Sequence, residues 1–115
     1  MTDNEIEKRL AELVKDKIEI REHLGKLFTF TIDDDGTVWH QNNWHPLTNI
    51  EQAMMVADAI HSFHHKYLQM HYHDGQWFAR FKPDFYDDWD LEWENSNVLS
   101  TAICRAAIAA LEEKI

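Results

Sequence analysis

Basic residues are scarce in this chain: 11 Lys and Arg stand against 21 Asp and Glu, for a formal charge of −10 at neutral pH. Binding DNA, RNA or an anionic membrane directly needs clustered Lys and Arg to neutralise phosphate, so those partners are not expected. The balance suits a soluble protein or one whose partner is basic. Cysteine is nearly absent. Cys104 stands alone, so no internal disulfide can form, and a reducing cytoplasm is the simplest compartment. The three glycines, at 25, 36 and 75, are scattered singly, which leaves no Gly-rich loop to cradle a phosphate. No apolar run approaches membrane length, and the opening MTDNEIEKRL lacks the basic-then-apolar pattern of a signal peptide.

Aromatic residues are plentiful, with five Trp, three Tyr and six Phe in 115 residues. They are large burial units, and the length suits one domain spanning 1–115. The most ordered stretch is YLQMHYHDGQWFARFK, residues 67–82. Two aromatic-rich runs flank Asp74-Gly75, a dipeptide that accepts the positive φ of a tight primed turn, so the stretch predicts a β-hairpin. The turn sets His73 opposite Gln76, Tyr72 opposite Trp77, Met70 opposite Ala79 and Leu68 opposite Phe81. One face is then Leu68, Met70, Tyr72, Trp77, Ala79 and Phe81. The other carries Gln69, His71, His73, Phe78, Arg80 and Lys82, and a one-residue slip would mix the two.

An isolated hairpin is marginal in water and needs helices against its apolar face. Ile6, Leu10, Leu13, Val14, Ile20 and Leu24 predict a first helix over 4–24, capped by Asp3 or Asn4 and stopped by Gly25. Its narrow stripe can pack on the sheet or on a second copy, giving a homo-oligomer through the N-terminal helix. LFTFTI (27–32) alternates as a strand, DDDG turns, TVWHQ returns, and NNWHP is loop. Thr48 and Glu51 form a capping box before a second helix over 49–65, with Ile50, Ala53, Met54, Ala57, Ile60 and His64 on one face and Val56 and Phe63 widening it. WDLEWE (89–94) alternates as a third strand of the meander. Trp89, Leu91 and Trp93 should join the apolar face, with the acids beside Arg80 and Lys82. Ser96 or Asn97 caps a third helix with a buried stripe of Leu99, Ala102, Ile103, Ala106, Ala110 and Leu111. The expected class is α+β: an antiparallel meander of three or more strands layered with three helices.

The order WHPLTNIEQAMMVADAI, two strands around a DG turn, a short acidic strand and then STAICRAAIAALEE resembles the phage ABA-sandwich domain, over roughly residues 44–113. Pro46 to Ile50 and the run Ala102 to Ala107 carry most of the likeness. It implies an α/β/α sandwich, an origin in phage or prophage and a location in the host cytoplasm. The family supplies no established catalytic residues, and none are carried over. Ser100-Thr101 departs from the apolar residues or Pro of a more typical member.

Eight histidines raise the question of a metal. His61 and His65 are four apart on the second helix, and His71 and His73 share a strand face, spacings that zinc sites use. No His-Glu-x-x-His and no Cys pair accompanies them, so no metal or cofactor is expected. Asp33-Asp34-Asp35-Gly36 fails as a calcium loop, because Thr31 and Asn42 would occupy positions that need carboxylates. Cys104, mid-helix, suits a buried inert thiol better than a nucleophile. The unusual stretch is PDFYDDWDLEWENSN (83–97), with six carboxylates, no Lys or Arg, and Phe85, Tyr86, Trp89 and Trp93 among them. The plainer reading keeps the tryptophans in the core and the acids in water. The alternatives are a glycosidase-like carboxylate pair, which needs a cleft, and a surface that docks on a basic protein. The chain is read as a non-catalytic accessory protein. Asp84, Phe85, Tyr86, Asp87, Asp88, Asp90, Glu92 and Glu94 are expected to meet a basic surface on a host or phage protein. A binder of a small nucleotide signal through Arg80, Lys82 and aromatic faces, and a His-rich metal-dependent hydrolase, are the other classes.

Overall fold

The computed structural model describes residues 1–16, 18–32, 38–83 and 93–112; of residues 30–32 and 38–42 it describes the backbone. Thr2-Asp3-Asn4-Glu5 starts the first helix. The Thr2 side chain accepts from the Glu5 N–H and the Glu5 carboxylate reaches back, a reciprocal capping box in place of the expected Asp3 or Asn4 cap. The helix, α1, runs only from Asp3 to Val14, and β1 (Glu19–His23) occupies ground where the periodicity predicts more helix. The reason is arithmetic. Ile20 and Leu24 are four residues apart, a spacing that satisfies one helical turn and two strand repeats equally. Gly25 is no helix stop. With Leu24 at φ 52° and Gly25 at φ 77°, it makes a two-residue primed turn that pairs His23 with Lys26.

β2 (Lys26–Ile32) and β3 (Val38–Asn43) complete an antiparallel sheet with β1, in the order β1-β2-β3. LFTFTI and the VWHQ of the returning segment are therefore strands, although Asn42 and Asn43 belong to β3 rather than to the loop. The DDDG segment lies outside the described residues.

α2 (Ile50–His64) starts one residue later than the capping box implies. Asn49 is the cap, its side chain accepting from the Gln52 N–H at 3.1 Å, while the Thr48 hydroxyl donates to the His45 carbonyl. The buried face is also rotated. It holds Gln52, Ala53, Val56, Ala57, Ala59 and Ile60, and it leaves Ile50, Met54 and Phe63 exposed. Gln52 is buried because its amide is satisfied twice. Its Oε1 accepts from the His45 N–H at 2.6 Å and its Nε2 donates to the Asn43 carbonyl at 2.8 Å.

β4 (Lys66–His73) and β5 (Gln76–Pro83) form the hairpin in the expected register, from His73 opposite Gln76 to Leu68 opposite Phe81. Asp74 and Gly75 both have positive φ, as a primed turn requires. β6 (Glu94–Ser96) completes a second antiparallel sheet, β4-β5-β6, so the meander is present. β6 begins at Glu94, with Trp93 outside it, and the rest of the expected strand over 89–94 falls in residues 84–92, which lie outside the described residues. α3 (Leu99–Glu112) follows, with the Val98 carbonyl accepting its first bond from Ala102; Ser96 instead accepts from the Val98 N–H, just ahead of the helix.

The result is an α+β fold, with three helices and antiparallel three-stranded sheets among the described residues. α3 packs on β5 and β6, α2 packs on β4 and α3, and α1 packs on both other helices. The α1 stripe of Ile6, Leu10, Leu13 and Val14 is thus buried on helices within the chain rather than on the sheet. Ala79 and Phe81 join Ala102, Ile103, Ala106 and Ala107 in one core, as expected for a sheet covered by an alanine-rich helix. Each fully buried Leu, Ile or Phe side chain in that core is worth about 1.5–3 kcal/mol. Met70 and Tyr72 share the face but not the burial, being 47% and 60% exposed, because the helices stop short of the hairpin tip. At the other end Lys66 is buried, and its ammonium donates to the Ala110 carbonyl at 3.2 Å, satisfying a group in the last turn of α3.

Candidate partner-binding site

The acidic stretch is held at both ends by β5. Pro83 closes that strand opposite Lys66, and Glu94 opens β6 opposite Ala79. Those two attachment points are four residue steps apart, roughly 13 Å along β5. Asp84, Phe85, Tyr86, Asp87, Asp88, Asp90 and Glu92 lie outside the described residues, as do Trp89 and Leu91. Glu94 is half-buried and, by its pairing with Ala79, belongs to the sheet face that meets the helices.

Trp93 is on the opposite face, which corrects the expectation that it joins the core. Its ring lies 4.1 Å beneath the Arg80 guanidinium and meets the His71 ring edge-on at 4.6 Å. His71 in turn stacks on Phe78, with centroids 4.9 Å apart and planes 8° from parallel. Gln69 completes the group, accepting from Arg80 Nε at 2.8 Å. This half-exposed cluster of Gln69, His71, Phe78, Arg80 and Trp93 anchors the end of the acidic stretch to the outer face of the sheet. Trp93 has taken the place beside Arg80 that the alternation WDLEWE assigns to an acid.

The histidines do not converge. α2 ends at His64, and His65 has a left-handed φ of 54°, so His61 and His65 do not share a helix face. The His61 ring packs on Tyr67 at 4.6 Å, and His73 pairs with Asp74 at 3.2 Å. Among the described residues no group of three or more His, Cys, Asp or Glu is placed to hold a metal ion. Arg80, a contact in the nucleotide reading, is already engaged by Gln69 and Trp93. Cys104 is fully buried, and desolvation, with a smaller contribution from Glu7, pushes its thiol up to about 12.

A second constellation lies where the sequence NNWHP predicts only a loop. Trp44 is 1% exposed, and its indole N–H donates to the Glu7 carbonyl at 2.8 Å. His45 Nδ1 lies 3.2 Å from the Glu7 carboxylate. One turn on, the Leu47 carbonyl accepts from both Ser100 Oγ at 2.8 Å and Thr101 Oγ1 at 2.7 Å. The segment 43–52 therefore ties α1, α2 and the start of α3 together. The signal available was the proximity of a Trp, a Pro and a polar Gln52 on a helix start. Ser100-Thr101, the departure from the more typical pattern, provides two of the ties.

The sequence profile of the phage ABA sandwich domain matches residues 8–108, nearly the whole chain. The chain belongs to that family. No curated protein and no solved structure matches it. The ABA-sandwich match begins well before residue 44, where the resemblance read from motifs alone starts, and takes in most of α1 and the β1-β2-β3 sheet. Within the ABA-sandwich domain, the motif around WHPLTNIEQ is the structural tie formed by Trp44, Leu47 and Gln52. Among the described residues of this small phage-associated domain, no helix is long and apolar enough to cross a membrane.

Proposed function

We propose that this protein is a non-catalytic accessory protein of phage or prophage that binds a basic surface on a host or phage protein through residues 84–94. The observation that carries this reading is the concentration of charge. Six of the 21 carboxylates fall in that stretch with no Lys or Arg; removing their −6 from the chain's −10 leaves −4 for all remaining residues. Phe85, Tyr86 and Trp89 supply anchors of the kind that dominate interface energetics, and the acids steer encounter. Attachment of the stretch to β5 at both ends supports the reading, since a tethered surface loses less conformational entropy on binding than a free tail.

The test is affinity capture from host cells with the wild type and with a variant carrying Asp87→Asn, Asp88→Asn, Asp90→Asn and Glu92→Gln together. The captured partner is then titrated at low and high salt. Binding should weaken at least tenfold in the variant, and the wild-type association rate should fall with salt, because exposed charges are screened beyond about 8 Å at physiological ionic strength. A folded variant that keeps the same partner at the same affinity overturns the proposal.

A further inference from the structure

Among the described residues β4 is an outer strand of its sheet, and its edge lacks the features that blunt the other edges. β1 carries Glu19, Arg21 and Glu22, β6 is three residues long, and the β2–β3 ladder is broken by a register shift. Charges, short length and irregularity each blunt an edge against strand addition. β4 has none of these over Leu68–His73. Its eight pairs with β5 run without a shift, it contains no proline, and no Asp or Glu occurs in it although the chain holds 21.

The turn decides which backbone groups face outward. In a two-residue primed hairpin the flanking residues, here His73 and Gln76, bond to each other, and the pattern then alternates along the strand. His71 and Gln69 therefore direct their N–H and C=O at β5, while Leu68, Met70 and Tyr72 direct theirs to the free edge. Among the described residues no backbone group outside the hairpin pairs with these three. The same residues carry the exposed apolar side chains Met70 and Tyr72, beside Leu68 at the margin of the core.

We infer that β4 is a self-association edge: two copies pair antiparallel through Leu68–Tyr72, with the two-fold axis at Met70, to make one continuous six-stranded sheet. In this register Met70 faces Met70 of the other copy, and Leu68 faces Tyr72. Every outward donor meets an outward acceptor, and the exposed apolar side chains cover one another on a single face. Charge selects the occupant. A basic strand finds no carboxylate along Leu68–His73 to pair with, whereas a second copy of this acidic chain meets it where neither carries a negative charge. The inference is independent of the acidic stretch 84–94.

Light scattering and sedimentation over a wide concentration range test it. The expected mass is twice the 13.7 kDa of the chain. Met70→Lys places a charge on the axis. Met70→Pro removes an outward N–H without removing a bond to β5, as edge prolines do. Both variants should lower the mass to that of one chain, with circular dichroism confirming the fold. Met70→Cys should give a covalent dimer on mild oxidation, since facing bonded residues lie ~5.5 Å apart between Cα atoms, within the range of a disulfide, and Cys104 is buried. Amide exchange at Met70 and Tyr72 should slow as the dimer fills. A monomer at every concentration overturns the inference. So does a dimer unchanged by both substitutions at Met70, or a Met70→Cys dimer that does not cross-link. A monomer whose Met70 and Tyr72 amides are protected only by an added basic peptide also overturns it, in favour of a foreign strand.

Discussion

Trp44 and Cys104 show how much depends on single buried side chains. Trp44 is 1% exposed in the core and its indole donates to the Glu7 carbonyl of α1, so its removal should cost on the order of 3–5 kcal/mol. Trp44→Phe keeps most of the volume and loses the indole N–H, so about 1–2 kcal/mol is expected; urea denaturation of both variants separates packing from hydrogen bonding. For Trp77, half-buried at the tip end of β5, truncation to Ala should cost about 1–3 kcal/mol, less than the 3–5 kcal/mol expected of a fully buried ring. Phe81, 4% exposed on the same face, should show the full effect. Cys104 gives a pH signature. Its thiol ionises near 9.0 ordinarily and near 12 in the fold, so the unfolded chain loses that proton first. Its contribution is intact below pH ~9. It falls as the pH rises from 9 towards 12, at up to about 1.4 kcal/mol per pH unit. Native protein at neutral pH should accordingly resist iodoacetamide, and denaturant should expose one reactive thiol per chain.

Among the elements, the two primed hairpins make a useful contrast. Asp74-Gly75 lies between aromatic runs of clear alternation, and both the hairpin and its register were legible from that alone. Leu24-Gly25 has the same backbone geometry but hides it, because Leu is a poor resident of a left-handed φ and reads as the end of a helical stripe. Replacing Leu24, which is 89% exposed, with Asn should therefore stabilise the chain by about 0.5–1 kcal/mol, read as a higher thermal midpoint. The third strand shows a different limit. Only Trp93 and Glu94 of WDLEWE lie among the described residues, and the face each turns to β5 depends on how many residues precede pairing, since a shift of one exchanges the faces. Trp93 consequently stacks on Arg80, and the candidate site was legible as composition but not as geometry. Lys66 and Gln52 were invisible for a related reason. Both are polar residues whose burial is explained only by partners 44 and 9 positions away, Ala110 and Asn43.

For the whole molecule, charge and topology act on different properties. With extents of 47 × 30 × 22 Å and a charge of −10, the molecule fits largely within one screening length of about 30 Å in 0.01 M salt. Like charges then repel across its full width, and at 0.15 M the range shrinks to about 8 Å. The thermal midpoint should rise as sodium chloride is added over that interval, and calorimetry at fixed pH checks it. Topology governs the order of assembly. Every strand pairs with its sequence neighbour, so both sheets form from local contacts that close quickly. The Leu47 carbonyl, by contrast, waits for Ser100 and Thr101, and Lys66 waits for Ala110. During synthesis the hairpins can zip before α3 is available, leaving Ala79 and Phe81 uncovered by that helix until it has emerged and docked. A nascent chain stalled before α3 would thus carry finished hairpins and an open apolar face, the state in which chaperones and proteases would find it.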